Sequence, residues 1–249
     1  MALRETVEAQ GNWLFRHRGT LPLLILPLLL VAVWEVEKNE SVRMERMEIW
    51  YQIVGLAIAF AGWILRAYTI GTVPRGTSGR NTASQEASVL NTTGMYSVVR
   101  HPLYVGNYLI MLGCTILTGS WWLPLLVSFM FWVYYERIAF AEEEYLRLQF
   151  GDQFTAWAKQ TPAFLPCLTK WRAPSLPFSW RTALRREYGG LLTVIAFSAA
   201  PEVIGDLVFD PTPHFEYFWA AVLAVGIAQA IVLRWLKRRT VLLYVEGRP

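Results

Sequence analysis

Apolar positions in this chain gather into long, nearly uninterrupted runs, with little of the period-two alternation of a half-buried strand. A run of about 20 residues with few charges is the length an α-helix needs to cross a bilayer, where a helix satisfies its own backbone polar groups. Such runs, or runs close to that length, cover Thr20–Val36, Ile49–Ile70, Leu103–Gly119, Trp121–Ile138, Gly190–Phe209 and Phe215–Leu236. The pattern predicts an all-α, polytopic integral membrane protein with about six transmembrane helices in a single membrane domain, 1–249. Pro22 and Pro27 predict a tilt or kink in the first span, and Pro201, Glu202 and Asp206 a break in the fifth.

Composition agrees with the pattern. Of the 249 residues 54% are hydrophobic and only 17% charged, with twelve Trp and a mean hydropathy of +0.31, which excludes a disordered chain, a collagen-like repeat or a secreted disulfide scaffold. The net charge of +4 says little about nucleic acid, but its distribution is informative. With six spans, 20 of the 23 Lys and Arg fall on the side shared by the termini, and only Lys38, Arg43 and Arg46 on the other. The positive-inside bias then places both termini, the Gly71–Pro102 loop and the Ala139–Tyr188 segment in the cytoplasm. The first apolar run follows Arg4, Arg16 and Arg18 without a convincing cleavage site, so it reads as a retained helix. Cys114 and Cys167 have no ligand-spaced partners and read as free thiols.

The third and fourth runs are separated only by Gly119-Ser120, which predicts a tight helical hairpin whose cytoplasmic ends lie close together. The entering end reads Tyr96-Ser97-Val98-Val99-Arg100-His101-Pro102-Leu103-Tyr104-Val105-Gly106-Asn107, with Pro102 suited to a first helical turn. Gly106, one turn on, leaves room for a neighbouring helix or a ligand. The leaving end carries Glu142-Glu143-Glu144, then Phe150-Gly151 and a Pro-bounded Thr161–Pro166. Three consecutive carboxylates fan over about 200° of a helix, so at most two share a face. Taken singly, Arg100 reads as an interfacial cation, His101 as structural, the glutamates as a solvated face, and Trp132, Tyr134 and Tyr135 as interface anchors. The convergence of Arg, His and Glu on one hairpin mouth is what points to a site. Arg66, about one turn inside the second span, costs roughly 2.5–3.5 kcal/mol to insert. It either snorkels to the headgroups or faces the hairpin glutamates, holding a carboxylate of substrate or protein.

Arg100-His101-Pro102-Leu103-Tyr104-Val105-Gly106, the short hairpin, Glu142-Glu143 and Phe150-Gly151 together resemble the isoprenylcysteine carboxyl methyltransferase and phospholipid methyltransferase superfamily. The resemblance covers 62–166 as a catalytic core and leaves 188–249 as additional membrane helices. It implies S-adenosylmethionine as cofactor, bound without a Rossmann domain, and no strand followed by GxGxxG occurs in the chain. Carried over residue by residue, it nominates Tyr96, Arg100, His101, Tyr104, Gly106, Glu142 and Glu143 as cofactor-binding. It gives Arg66 a role in holding or orienting the acceptor and makes Glu144 the more solvated glutamate; an amine or thiol acceptor would need deprotonation, for which Glu143 is a candidate base. A membrane-embedded site suggests a lipophilic or lipid-linked acceptor bearing a carboxylate, amine or thiol and arriving from the membrane, and methyl transfer requires no metal. The Gly71–Leu90 loop could form a lid. Two other classes compete: an NADPH-dependent sterol-type membrane reductase, and a non-catalytic membrane protein such as a transporter subunit or assembly factor.

Overall fold

The structure is a computed structural model and describes residues 2–38, 45–77, 87–204 and 217–249. Among these, helices dominate and no strand forms beyond one isolated bridge between Gly94 and Arg172. The order is α1 (Leu3–Arg16), a 3-10 turn (Leu21–Ile25), α2 (Leu26–Lys38), α3 (Glu45–Thr72), the short α4 (Met95–Val98), α5 (Pro102–Ile116), α6 (Trp122–Phe150), α7 (Asp152–Gln160), a second 3-10 turn (Leu168–Lys170), α8 (Trp180–Ile204) and α9 (Tyr217–Arg239). Three helical stretches, Trp50–Thr72, Trp122–Phe150 and Tyr217–Arg239, are long and apolar enough to cross a membrane, and Leu23–Val36 and Pro102–Ile116 are shorter apolar ones. The count of six spans therefore exceeds what length and composition alone qualify among the described residues. Arg43, the tail of the fifth span, the first residues of the sixth, and 78–86 of the expected lid lie outside the described residues.

Local chemistry explains the boundaries. The first span divides into a 3-10 turn and α2, with Pro27 in the first turn of α2, where a missing N–H breaks no intrahelical bond. α6 runs well beyond the predicted Ile138, because nothing interrupts it until Gly151 takes a φ of +51°, a conformation that favours glycine. The fourth span thus continues as one rigid rod through the glutamate triplet. α8 begins before its apolar run and passes through Pro201 without a break as far as Ile204.

The centre of the bundle is the antiparallel pair α3 and α5, which touch backbone to backbone at two glycine pairs. A Cβ placed on Gly62 would sit 2.6 Å from the Gly106 carbonyl oxygen, and one on Gly55 would sit 2.9 Å from that of Gly113. Against this pair packs α8, whose Val194 joins Ala59, Ile110 and Cys114 in a buried cluster. α9 covers α8, with Gly226 against Ile195. On the other side α1 lies along α6, burying Phe15 among Tyr104, Phe131, Tyr135 and Ile138. Cys114 is buried, Cys167 is partly exposed, and neither forms a disulfide.

The glycine pairs give a direct prediction. Gly62→Val forces a side chain into backbone that cannot yield, so it should lower unfolding stability in detergent by at least about 2 kcal/mol. Gly189→Ala, where a Cβ meets nothing within 4 Å, should leave the thermal midpoint unchanged or slightly raised. Equal midpoints for wild type and Gly62→Val would refute the packing.

Candidate active site

The hairpin mouth is assembled by Arg100. Its Nε donates to Glu143 Oε1 at 2.8 Å and its Nη2 to Glu143 Oε2 at 3.3 Å. Nη1 donates to the carbonyl oxygens of Ala158 at 2.9 Å and Thr161 at 2.6 Å, at the end of α7. One side chain thereby ties the start of α5 to α6 and to the segment after α7. The backbone repeats the connection: Arg100 N–H donates to Pro162 O at 2.8 Å, His101 N–H to Ala163 O at 3.2 Å and Cys167 N–H to Val98 O at 2.9 Å. The Pro-bounded stretch is thus the brace of the entering segment, and Phe164 stacks on His101 with ring centroids 5.6 Å apart.

His101 lies between the two glutamates. Nε2 is 2.9 Å from Glu143 Oε1 and Nδ1 is 3.6 Å from Glu142 Oε2. Burial favours the neutral ring, but the hydrogen bonds and charges of Glu142 and Glu143 outweigh it, and the His101 pKa rises above its ordinary 6.5. Tyr104 donates to Glu142 Oε2 at 2.9 Å. Burial pushes the Tyr96 hydroxyl well up, so it remains a neutral phenol, while the Tyr96 carbonyl accepts from Trp157 Nε1 at 3.0 Å.

These groups border a cavity of about 420 Å³. Of the residues nominated from the sequence, Arg66, Tyr96, Arg100, His101, Tyr104 and Glu142 line it, whereas Glu143 and Gly106 do not. Glu143, the expected base, has both oxygens engaged by Arg100 and His101, so the carboxylate presented to the cavity is that of Glu142. Gly106, expected to bind cofactor, is where α5 meets α3: a Cβ there would collide with the Arg66 side chain and sit 2.9 Å from Gly62 O.

Arg66 does hold a carboxylate, but the one it holds belongs to α8. Its Nε donates to Glu187 Oε2 at 2.8 Å and its Nη2 to Glu187 Oε1 at 2.7 Å. Nη1 reaches Asn107 Oδ1 at 2.6 Å and Leu103 O at 3.3 Å. Snorkelling to headgroups is therefore not its arrangement. Glu144, expected to be the solvated glutamate, is buried and pairs with Arg4 of α1, because docking of α1 covers that face of α6.

Several site residues were not anticipated. Tyr135, read as an interface anchor, lines the cavity and accepts a hydrogen bond from Asn107 Nδ2 at 2.9 Å. Arg18, Arg186 and Pro249 reach the cavity from outside the hairpin. Asn107 and Tyr135 were legible only as polar atoms inside apolar runs, and Arg18 and Arg186 carried no sequence signal that separated them from topogenic charge.

The elevated His101 pKa fixes a sign for pH dependence. Its contribution to folding stability is fully present below about 6.5 and is lost as pH rises through the higher folded-state value. Unfolding midpoints in detergent between pH 6 and 9 should fall for wild type more steeply than for His101→Gln; parallel profiles would show that His101 is not held as an imidazolium.

Residues 50–153 match the family model for phospholipid methyltransferase. The nickel-cobalt-cadmium resistance protein NccN of Alcaligenes xylosoxydans xylosoxydans is 27% identical over 178 residues, 70% of this chain and 78% of that one. The cobalt-zinc-cadmium resistance protein CzcN of Cupriavidus metallidurans is 29% identical, over 68% of this chain and 72% of that one. Protein-S-isoprenylcysteine O-methyltransferase of Schizosaccharomyces pombe is 31% identical over 121 residues, 47% of this chain and half of that one. No solved structure matches the chain.

Proposed function

Residues 50–153 belong to the isoprenylcysteine carboxyl methyltransferase and phospholipid methyltransferase superfamily, and on that premise we propose that the chain transfers a methyl group from S-adenosylmethionine to a lipophilic acceptor at the hairpin mouth. The observation that carries the reading is a cavity lined by Glu142, Tyr104, His101 and arginines together with the aromatic Tyr96, Tyr135 and Trp157. S-adenosylmethionine has an ammonium and a sulfonium that suit a carboxylate, a carboxylate that suits arginine, and an adenine that suits aromatic rings, so the donor set fits it. The volume lies in the range of small-molecule sites, about 300–1,000 Å³.

When bound, S-adenosylmethionine supplies an electrophilic methyl whose C–S bond breaks as the acceptor's bond to carbon forms, the electron pair remaining on sulfur. The protein's part is alignment and exclusion of water. Glu142 provides the negative charge facing the cofactor and is the nearest acceptor for a proton leaving an amine or thiol. Glu143 acts through Arg100 and His101, fixing the wall in place. With both carboxylate oxygens taken by Arg100 and His101, Glu143 is a positioning residue.

The acceptor's route is supported by a second, apolar cleft of about 850 Å³ between α1, the first 3-10 turn and α6, lined by Trp13, Leu24, Met111 and Phe129 among others. Tyr135 lines both spaces. An acyl or prenyl chain lying in the cleft would bring its reactive end toward Glu142. The cofactor would enter from the cytoplasm, which is the side the basic residues favour. Two relatives carry names of metal resistance; among the described residues there is no group of three or more His, Cys, Asp or Glu that could hold a metal ion.

The reading predicts calorimetric binding of S-adenosylmethionine to detergent-purified protein, weakened at least about tenfold by Glu142→Ala, the loss of one charge-assisted contact. Arg66→Ala should spare that binding and abolish transfer. Tight NADPH binding with no response to S-adenosylmethionine would replace the reading by a reductase.

A further inference from the structure

We propose that Glu187 is a specificity-determining residue: by neutralising Arg66 at the cavity wall, it turns the acceptor site away from carboxylates and toward uncharged nucleophiles. The inference rests on the proposed function, whose acceptor class it narrows.

Four arginines, Arg18, Arg66, Arg100 and Arg186, line the cavity, and Arg66 is the one that enters it from the apolar α3, beside Asn107 and Leu103 of α5. Glu187 already occupies the fork of that guanidinium with two parallel hydrogen bonds of 2.8 and 2.7 Å. Its side chain is 1% exposed and that of Arg66 14%, so neither charge is screened by bulk water. The guanidinium has five N–H groups. Two go to Glu187 and two to Asn107 and Leu103, which leaves one, on Nη2. Arg66 therefore offers a ligand one hydrogen-bond donor, on a guanidinium already paired with a carboxylate. An incoming carboxylate would have to displace Glu187 or share the site with it, and two buried carboxylates on one cation repel. An amine lone pair, a thiol or a hydroxyl meets no such conflict.

Position in the chain supports the same role. Glu187 lies on α8, outside the 50–153 segment. It is carried to Arg66 by packing of α8 on α3, with Trp63 Nε1 donating to the Glu187 carbonyl at 3.2 Å. The C-terminal helices, which the superfamily resemblance did not explain, thereby contribute a charge to the site.

The test is a binding measurement that needs no turnover. Radiolabelled decanoate and decanol are titrated onto nanodisc-embedded protein by scintillation proximity, with S-adenosylhomocysteine measured in the same preparations. In wild type, decanoate should bind no more tightly than decanol. Glu187→Gln should shift the decanoate-to-decanol affinity ratio by about tenfold toward decanoate, because it exposes the Arg66 charge. Arg66→Gln/Glu187→Gln should return the ratio to the wild-type value. Decanoate binding wild type at least about tenfold more tightly than decanol would overturn the proposal even if the variants fail to fold, and so would a ratio unchanged in Glu187→Gln. Absence of S-adenosylhomocysteine binding in wild type would instead count against methyl transfer, leaving the two ideas separately judged.

Discussion

The site depends on the clamp made by Arg100. Its guanidinium reaches Glu143 on α6 and two carbonyl oxygens at the end of α7, while its own backbone is braced by Pro162. A membrane helix hairpin has little to hold its mouth in one shape, because lipid and side chains are equally apolar and packing alone is weakly directional. Charged hydrogen bonds out of bulk water supply the direction. With Arg100 and His101 fixed against Glu143, Glu142 and Tyr104 face a defined space, and that space becomes a cavity of stable composition.

A second constraint acts at Arg66, which lines the same cavity. Arg66 would be costly on an apolar helix without a partner, and Glu187 of α8 supplies one. The pair joins α3 to α8 beside the glycine contacts that bring α3 against α5, so close backbone packing and a buried ion pair reinforce the same arrangement. The added helices are therefore a structural part of the site's wall. Two ion pairs holding the lining of one cavity would suit the proposed methyl transfer, whose main requirement is alignment.

Much of this was legible in the sequence because membrane solvation makes charges informative. Arg66, Arg100, His101 and Glu142 stood out as scarce polar groups at a hairpin mouth, and all four line the cavity. What escaped reading was the identity of partners. Glu187 sits just ahead of an apolar run among Arg185 and Arg186, where topology alone accounts for charges. The helix α1 is amphipathic and too polar for a search tuned to spanning runs, so its cover over Glu144 was invisible. The extent of α6 was underestimated because apolarity ends at Ile138 while helix-forming residues continue to the glycine at 151. Hydropathy marks where lipid ends; only local stereochemistry marks where a helix ends. Tyr135 shows the limit of composition-based roles, since an aromatic near the interface looks the same whether it faces lipid or a cavity.

The central claim is that the cofactor binds where the two ends of the α5–α6 hairpin converge. Ultraviolet cross-linking of methyl-tritiated S-adenosylmethionine to the nanodisc-embedded protein, followed by peptide mapping, tests it most directly. The account predicts label in the peptides that carry residues 96–107 and 135–146, removed by excess S-adenosylhomocysteine. Label confined to peptides outside those two segments would contradict it.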